Sequence, residues 1–220
     1  MEQNKELIIF IPSIEDGGVE KNLYIIANYL SKKFNKINLI TYENSKKKLF
    51  NKNIKLIHPY FNLINFENRY PKYFLCLLTL IRVLIFNRNY LVFSFQANIF
   101  AIILTKILNV KIISRSNSSS AGWSKNFLKQ FIFNYFFNKA DKIIVNSLDF
   151  KKEMDKKYKI NTQCIFNPFE FEKIQKLSKK RVTNIFKSQN LKLLAIGRLT
   201  EQKDFVTLLK SIKNLKRNNV

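Results

Sequence analysis

The sequence predicts an α/β fold: a Rossmann-like parallel sheet with helices on both faces, followed by the first β-α unit of a second Rossmann-like domain. Three observations predict it. Short apolar runs alternate with longer segments of helical period. The runs are unbroken, without the one-in-two polar alternation of a half-exposed strand, as expected for strands buried on both faces. Regular strand-helix alternation then closes as a doubly wound sheet.

Residues 7–11 (LIIFI) form the first strand. A Pro-Ser loop leads to Gly17-Gly18, and residues 19–34 place Val19, Leu23, Ile26, Ala27 and Leu30 on one helical face. Residues 37–42 and 54–57 read as the second and third strands. A helix over about 72–87 precedes a strand at 90–95, and a helix over about 97–108 precedes a strand at 111–114. A helix over about 124–138 precedes a strand at 142–145. Residues 147–158 are helical, 163–166 extended, and Asn167-Pro168 marks a turn. The organisation is a Rossmann-like domain over 1–170, a Lys-rich linker or crossover over 171–190, and the incomplete start of a second domain over 191–220. Sheets of this kind hold ligands at the carboxyl ends of their strands, here the loops at 12–18, 95–98, 115–122 and 146–147.

The chain of 220 residues is 46% hydrophobic and 25% charged, which supports a full core and excludes wholesale disorder. Its 39 basic and 15 acidic residues give a net charge of +24. That charge invites a polyanion partner. Lys, Asn, Ile and Phe are abundant together, as codon bias in an AT-rich genome would produce, so no specific nucleic-acid partner is expected. A basic surface does suit peripheral contact with anionic lipid. Cys76 and Cys164 lie in apolar patterns without CxxC spacing, as buried free thiols in a reducing compartment would. The stretch 73–86 is the most hydrophobic, but Arg82 interrupts it and it is shorter than a spanning helix. With no targeting segment at the amino terminus, the expected location is cytoplasmic, peripheral at the inner face of the membrane.

The segment Leu193–Phe205, LLAIGRLTEQKDF, is the strongest chemical signal. An apolar run ends in Gly197-Arg198, a short loop carries Lys203, and a helical pattern begins near Asp204. Two cations delivered to a helix start, with free backbone N–H groups and the helix dipole, suit a phosphate. Gly17 and Gly18 allow close backbone approach and positive φ, although GxGxxG is absent. Arg115 sits in the small-polar segment SRSNSSSAG at 114–122 and offers bidentate anion recognition. An incidental cation on a solvated surface loop fits the same residues. The sole histidine, His58, has no partner for a metal site and reads as structural, and no carboxylate cluster is evident. The helix at 124–138 is aromatic on most sides, which suits burial against the sheet or an interfacial position on a bilayer.

Taken in order, GGVEK (17–21), the SR loop, KADKIIVNS (139–147), IFNPFE (165–170) and GRLTEQKD (197–204) resemble the retaining family-four glycosyltransferases of the GT-B fold. The resemblance covers nearly the whole chain, and its GRLTEQK part is the most specific. It implies two Rossmann-like domains facing across a cleft, with a nucleotide sugar on the carboxyl-terminal domain and a lipid-linked or surface-polysaccharide acceptor on the amino-terminal one. Arg198 and Lys203 would be catalytic, gripping the donor diphosphate, with Gly17, Gly18 and Gly197 completing the phosphate site. No cofactor is implied: fixed cations replace a divalent metal, and the donor is a UDP- or GDP-sugar. Where many members carry a histidine after the fourth strand, this chain reads Ser94-Phe95-Gln96-Ala97-Asn98. Gln96, Asn98 and Arg115 are therefore the acceptor-side candidates. The family's paired glutamates, seven residues apart, lie beyond position 220, so the resemblance implies a chain truncated within its donor domain and inactive alone. A different class fits the charge as well: a non-catalytic basic module binding anionic membrane or nucleic acid.

Overall fold

A computed structural model describes residues 6–15, 17–44, 46–60, 66, 68–117, 127–180, 192–197 and 199–217, without the side chains of 127–130, 202, 216 and 217. Seven strands form one wholly parallel sheet: β1 (Glu6–Phe10), β2 (Ile37–Ile40), β3 (Ile54–Ile57), β4 (Tyr90–Ser94), β5 (Lys111–Ser116), β6 (Lys142–Val145) and β7 (Gln163–Cys164). Their spatial order is β3-β2-β1-β4-β5-β6-β7. The order reverses between β1 and β4, the kind of switch point at which diverging loops open a crevice. The predicted Rossmann-like α/β fold is therefore present.

The helices follow from the same alternation: α1 (Gly18–Leu30), α2 (Arg69–Phe86), α3 (Asn98–Ile107), α4 (Phe127–Phe137) and α5 (Leu148–Tyr158). The start of α2 lies three residues before the sequence expectation. Pro71 sits in its first turn, where the missing N–H has no intrahelical partner to lose. Ser147 caps α5, its hydroxyl accepting the Phe150 N–H at 3.1 Å. β5 runs two residues past its expected end and takes in Arg115, while β7 stops at Cys164.

Two buried clusters flank the sheet. Ile8, Phe10, Val92, Ile112 and Val145 pack against Cys76, Leu80 and Leu84 of α2, Ala101 and Ile102 of α3, Phe137 of α4 and Phe150 of α5. Leu7, Ile9, Ile37 and Leu39 face the other way, onto Leu23 and Ala27 of α1. Right-handed crossovers require this division: connections running one way from β1 carry their helix on one face, and those running the other way carry it opposite. Alternate strand residues fill both clusters, so the central strands present apolar side chains on both faces.

Contact clustering separates 1–171 from 172–220. In the second unit, α6 (Phe171–Ser178, beginning at the boundary) and α7 (Phe205–Arg217) form, joined in part by a 3-10 turn at Glu201–Lys203. Residues 192–196, expected as a strand, are exposed and belong to no ladder among the described residues. An apolar run becomes a strand only when a neighbour takes up its N–H and C=O groups.

Asp141 joins three elements outside the clusters. Its carboxylate accepts the Ile112 N–H at 2.8 Å and pairs with Lys106 at 2.7 Å. Burial alone would raise its pKa, but the Lys106 and Ile112 hydrogen bonds outweigh that and hold it below the usual carboxylate value. Because the folded-state pKa is depressed, the contribution to stability is present above the unfolded-state pKa and is lost as pH falls through the folded one. Asp141→Asn should therefore lower the denaturation midpoint at neutral pH. The gap to the parent should close as pH drops below about 4, measured by urea unfolding at several pH values.

Candidate functional site

The carboxyl edge of the sheet is built around the loop that follows β1. Ile14 is buried in the α1-side cluster and anchors the loop there. Its N–H donates to Glu43 Oε2 at 2.8 Å, just past β2, while Glu43 Oε1 pairs with Lys72 of α2 at 2.8 Å. Ser13 N–H donates to Gln96 Oε1 at 3.0 Å, spanning the switch point from β1 to the loop after β4. Arg69 grips Glu15 through two bonds of 2.7 and 2.6 Å. Elements on both sides of β1 thus fix the loop before any ligand arrives.

Gly17 ends this loop as the N-cap of α1. Its φ of −129° is extended backbone, and no described glycine has a positive φ, contrary to the conformational role expected for it. Close approach accounts for it instead: a Cβ on Gly17 would lie 2.7 Å from Oε2 of the buried Glu20 carboxylate. Gly18 differs, since a Cβ there would meet nothing within 4 Å. Its outer side is open space.

The loop after β4 carries the only strained backbone of this edge among the described residues. Ala97 sits at φ 51°, ψ 33°, the left-handed region that a residue with a Cβ rarely enters. Ser94 Oγ donates to the Gln96 carbonyl at 3.0 Å and pairs with Asn98 Oδ1 at 2.7 Å, which holds the turn. Asn98 Nδ2 in turn donates to the Arg115 carbonyl at 3.0 Å. Gln96 and Asn98 are therefore brought together at the switch point. Asn98 is engaged by the framework, whereas the Gln96 NH2 group takes no part in its bond to Ser13.

Arg115 does not stand on a solvated loop. It is 1% exposed within β5, and its Nη2 donates to the Ile165 carbonyl at 3.2 Å and to Asn167 Oδ1 at 3.0 Å. Burial draws its pKa down from the usual guanidinium value. Its Nε finds no hydrogen-bond partner among the described residues, nor do Ser13 Oγ, Ser114 Oγ and Asn117 Oδ1. Such groups are uncommon in folded proteins and mark places where a polar ligand can complete the pairing. Ser13 and Asn117 both bond to the 95–96 segment, so two of them flank the same stretch of the crevice.

In the second unit, Gly197 lies against the residues that follow it. A Cβ at 197 would sit 3.3 Å from Lys203 Cγ and 3.4 Å from the Phe205 ring, so the loop folds Lys203 back over the glycine. Lys203 is exposed at the end of the 3-10 turn, and no described residue forms an ion pair with it. Asp204, at φ 46°, caps α7 by accepting the Thr207 N–H at 3.2 Å. Arg198 and residues 118–122 of the Ser-rich segment lie outside the described residues.

Other sequence signals resolve structurally. His58 Nδ1 donates to the Thr41 carbonyl at 2.9 Å. Cys76 is buried, which pushes its thiol pKa up, whereas Cys164 is only half-buried. Among the described residues no group of three or more His, Cys, Asp and Glu is placed to hold a metal ion. Sequence reasoning missed Glu43, Glu15, Arg69 and Glu20, the charges that set the first loop. Glu43 follows its strand without any local motif, so nothing in its neighbourhood marked it.

No family model and no curated protein matches the sequence. Solved structures do match the fold. The Anabaena HepE protein in complex with UDP and glucose superposes with a TM-score of 0.55 at 13% identity, over 77% of this chain and 46% of that one. A glycosyltransferase from Rickettsia africae gives 0.52 at 20% identity, over 80% and 49%. A UDP-glucose:anthocyanidin 3-O-glucosyltransferase in complex with UDP gives 0.50 at 14%, over 76% and 54%. The fold is thus that of GT-B glycosyltransferases, and the chain spans about half the length of these neighbours.

Ala97 offers a direct check on the strained turn. Ala97→Gly should raise unfolding free energy by up to about 1 kcal/mol, because glycine enters the left-handed region without the Cβ penalty. Urea denaturation of the pair measures it.

Proposed function

We propose that this chain provides the acceptor domain, and the start of the donor domain, of a retaining family-four glycosyltransferase. The enzyme moves a hexose-type sugar from a UDP- or GDP-sugar to a lipid-linked or surface-polysaccharide acceptor at the cytoplasmic membrane face. The observation that carries this reading is the loop at 197–204, which seats Lys203, without an ion pair among the described residues, beside the start of α7. It is joined to a first unit with the fold of nucleotide-sugar enzymes.

In this reading the bond between the anomeric carbon and the diphosphate oxygen breaks, and negative charge gathers on the departing nucleotide. In this scheme Lys203 and Arg198 are the fixed cations that stabilise that charge, and in a site sheltered from water their effect is large. Gly17, Gly18 and Gly197 are assigned to the donor phosphates as well, and of these Gly18 has open space where a Cβ would stand. The acceptor hydroxyl attacks from the same face and passes its proton to the leaving phosphate, so configuration is retained without a protein base. No metal or other cofactor enters the scheme. Gln96 NH2, Ser13 Oγ and Asn117 Oδ1 are suited to acceptor hydroxyls. Asn98 and Arg115 hold the strands and turns that carry those groups.

The test is sugar transfer from labelled UDP- or GDP-sugars by the enzyme carrying a complete donor domain. Arg198→Ala and Lys203→Ala should each lower kcat about 100-fold or more with the melting temperature unchanged. Gly18→Ala should leave folding intact, since nothing stands within 4 Å of its Cβ, yet weaken donor use. Unchanged rates in both cation variants would remove the phosphate-clamp assignment.

A further inference from the structure

All fifteen acidic residues lie outside residues 68–140, a stretch that holds ten lysines and arginines. That stretch contains α2, α3 and α4, which the crossover rule places on one face of the sheet. These three helices therefore carry no carboxylate of their own, although α5 on the same face does, and Glu15, Glu43 and Asp141 pair with Arg69, Lys72 and Lys106.

The same layer is apolar on its outside. Phe74, Leu78 and Ile81 of α2 and Phe100, Ile103 and Ile107 of α3 line an open groove of about 380 Å³. Phe74 is 62% exposed and Ile107 78%. Phe86 at the end of α2 and Phe131 on α4 are exposed as well. Single exposed apolar residues are ordinary, but a contiguous set with an empty groove marks an interaction surface. Arg82, Arg88 and Lys139 stand exposed at its margin, Arg82 over the Tyr60 ring and Lys139 over the Tyr135 ring.

We propose that the α2–α3–α4 layer docks flat on an anionic bilayer, with phenylalanine and isoleucine side chains entering the acyl boundary and the marginal cations meeting lipid phosphates. Aromatic and aliphatic side chains on one face of a helix, bordered by Lys and Arg, define interfacial binding. The charge decides between occupants. A second copy would bring its own exposed Arg82 and Arg88 against these, and like charges repel. A phosphate-rich nucleic acid would leave the aliphatic groove unfilled. An anionic bilayer satisfies both the groove and the cations. No described helix is long and apolar enough to cross a membrane, so contact is in the plane of the surface. The proposal deepens the membrane-face part of the transferase reading and rests on it for its biological setting, but lipid binding is measured without any sugar transfer.

Flotation of the 220-residue chain with phosphatidylcholine vesicles containing about one-third phosphatidylglycerol tests it. The chain should partition onto these vesicles at least about tenfold more strongly than onto pure phosphatidylcholine. The triple variant Phe74→Ser, Phe100→Ser, Ile107→Ser should lose roughly tenfold or more of that binding. Arg82→Glu with Arg88→Glu should lose a similar factor at low salt. Tyr29→Ser, which removes an exposed ring on α1 at the opposite face, should stay within about twofold of the parent. All six substitutions replace exposed side chains, and far-ultraviolet circular dichroism confirms folding. Binding to anionic vesicles that the triple variant leaves unchanged would overturn the proposal. So would sedimentation showing that the triple variant dissolves a lipid-free dimer while the parent ignores vesicles.

Discussion

The reversal of strand order between β1 and β4 is the constraint on which the rest of the molecule depends. A parallel strand pair with a right-handed crossover must place its helix on a face set by the direction of travel. Once the chain turns back after the edge strand β3 and crosses to β4, α1 is left on one side and α2 to α5 fall on the other. Two consequences follow from that one event. The loops after β1 and β4 diverge and leave a crevice between them. The helices of the longer branch also share one face, and three of them, α2 to α4, come from a stretch of sequence without acidic residues.

Divergent loops would be mobile without restraint, and here polar bonds supply it. Ser13 to Gln96 crosses the crevice, Ile14 to Glu43 reaches the far strand, and Asn98 to Arg115 ties in the next one. Each anchor uses a backbone group on one side, so the loop conformation itself is bonded rather than only a side-chain rotamer. The strain at Ala97 is tolerable for the same reason, because Ser94 and Asn98 over-determine the turn. A crevice held in this way keeps its polar groups in place without reorganising around a ligand, the condition under which electrostatic stabilisation is most effective.

The fold was legible because its signals are local. LIIFI, the apolar run at 90–95 and KIIV at 142–145 are strands that no helix period explains, and each is found in the sheet. At the crevice the sequence marks positions where a residue's type and its place in a loop coincide, as at Gly17, the N-cap of α1, and Gln96, which bonds Ser13 across the switch point. Arg115 reads in sequence equally as an anion binder or as a solvated loop cation, because Ser and Asn follow it; its burial goes with bonds to the Ile165 carbonyl and the Asn167 side chain some fifty residues away. Glu43 and Arg69 were invisible for the same reason, since their partners Ile14 and Glu15 lie 29 and 54 residues distant. Residues 192–196 fail in the opposite sense. Their pattern is that of a strand, but a pattern supplies no ladder partner.

Geometry joins the crevice and the helical layer more closely than either does alone. α2 and α3 both begin at the carboxyl edge and run toward the amino edge, so the groove between them starts beside the loops that hold Ser13 and Gln96. Phe74 and Phe100 occupy its near end, a turn or less from Lys72 and Asn98 in their helices. A layer lying flat on lipid would therefore bring the polar crevice to the height of the headgroups, with the apolar groove beneath it in the acyl boundary. An acceptor with a sugar at one end and a hydrocarbon chain at the other has the same polarity profile. The two halves of such a molecule could each meet a matching surface without leaving the membrane, and the transfer step would then need only the donor to arrive from water.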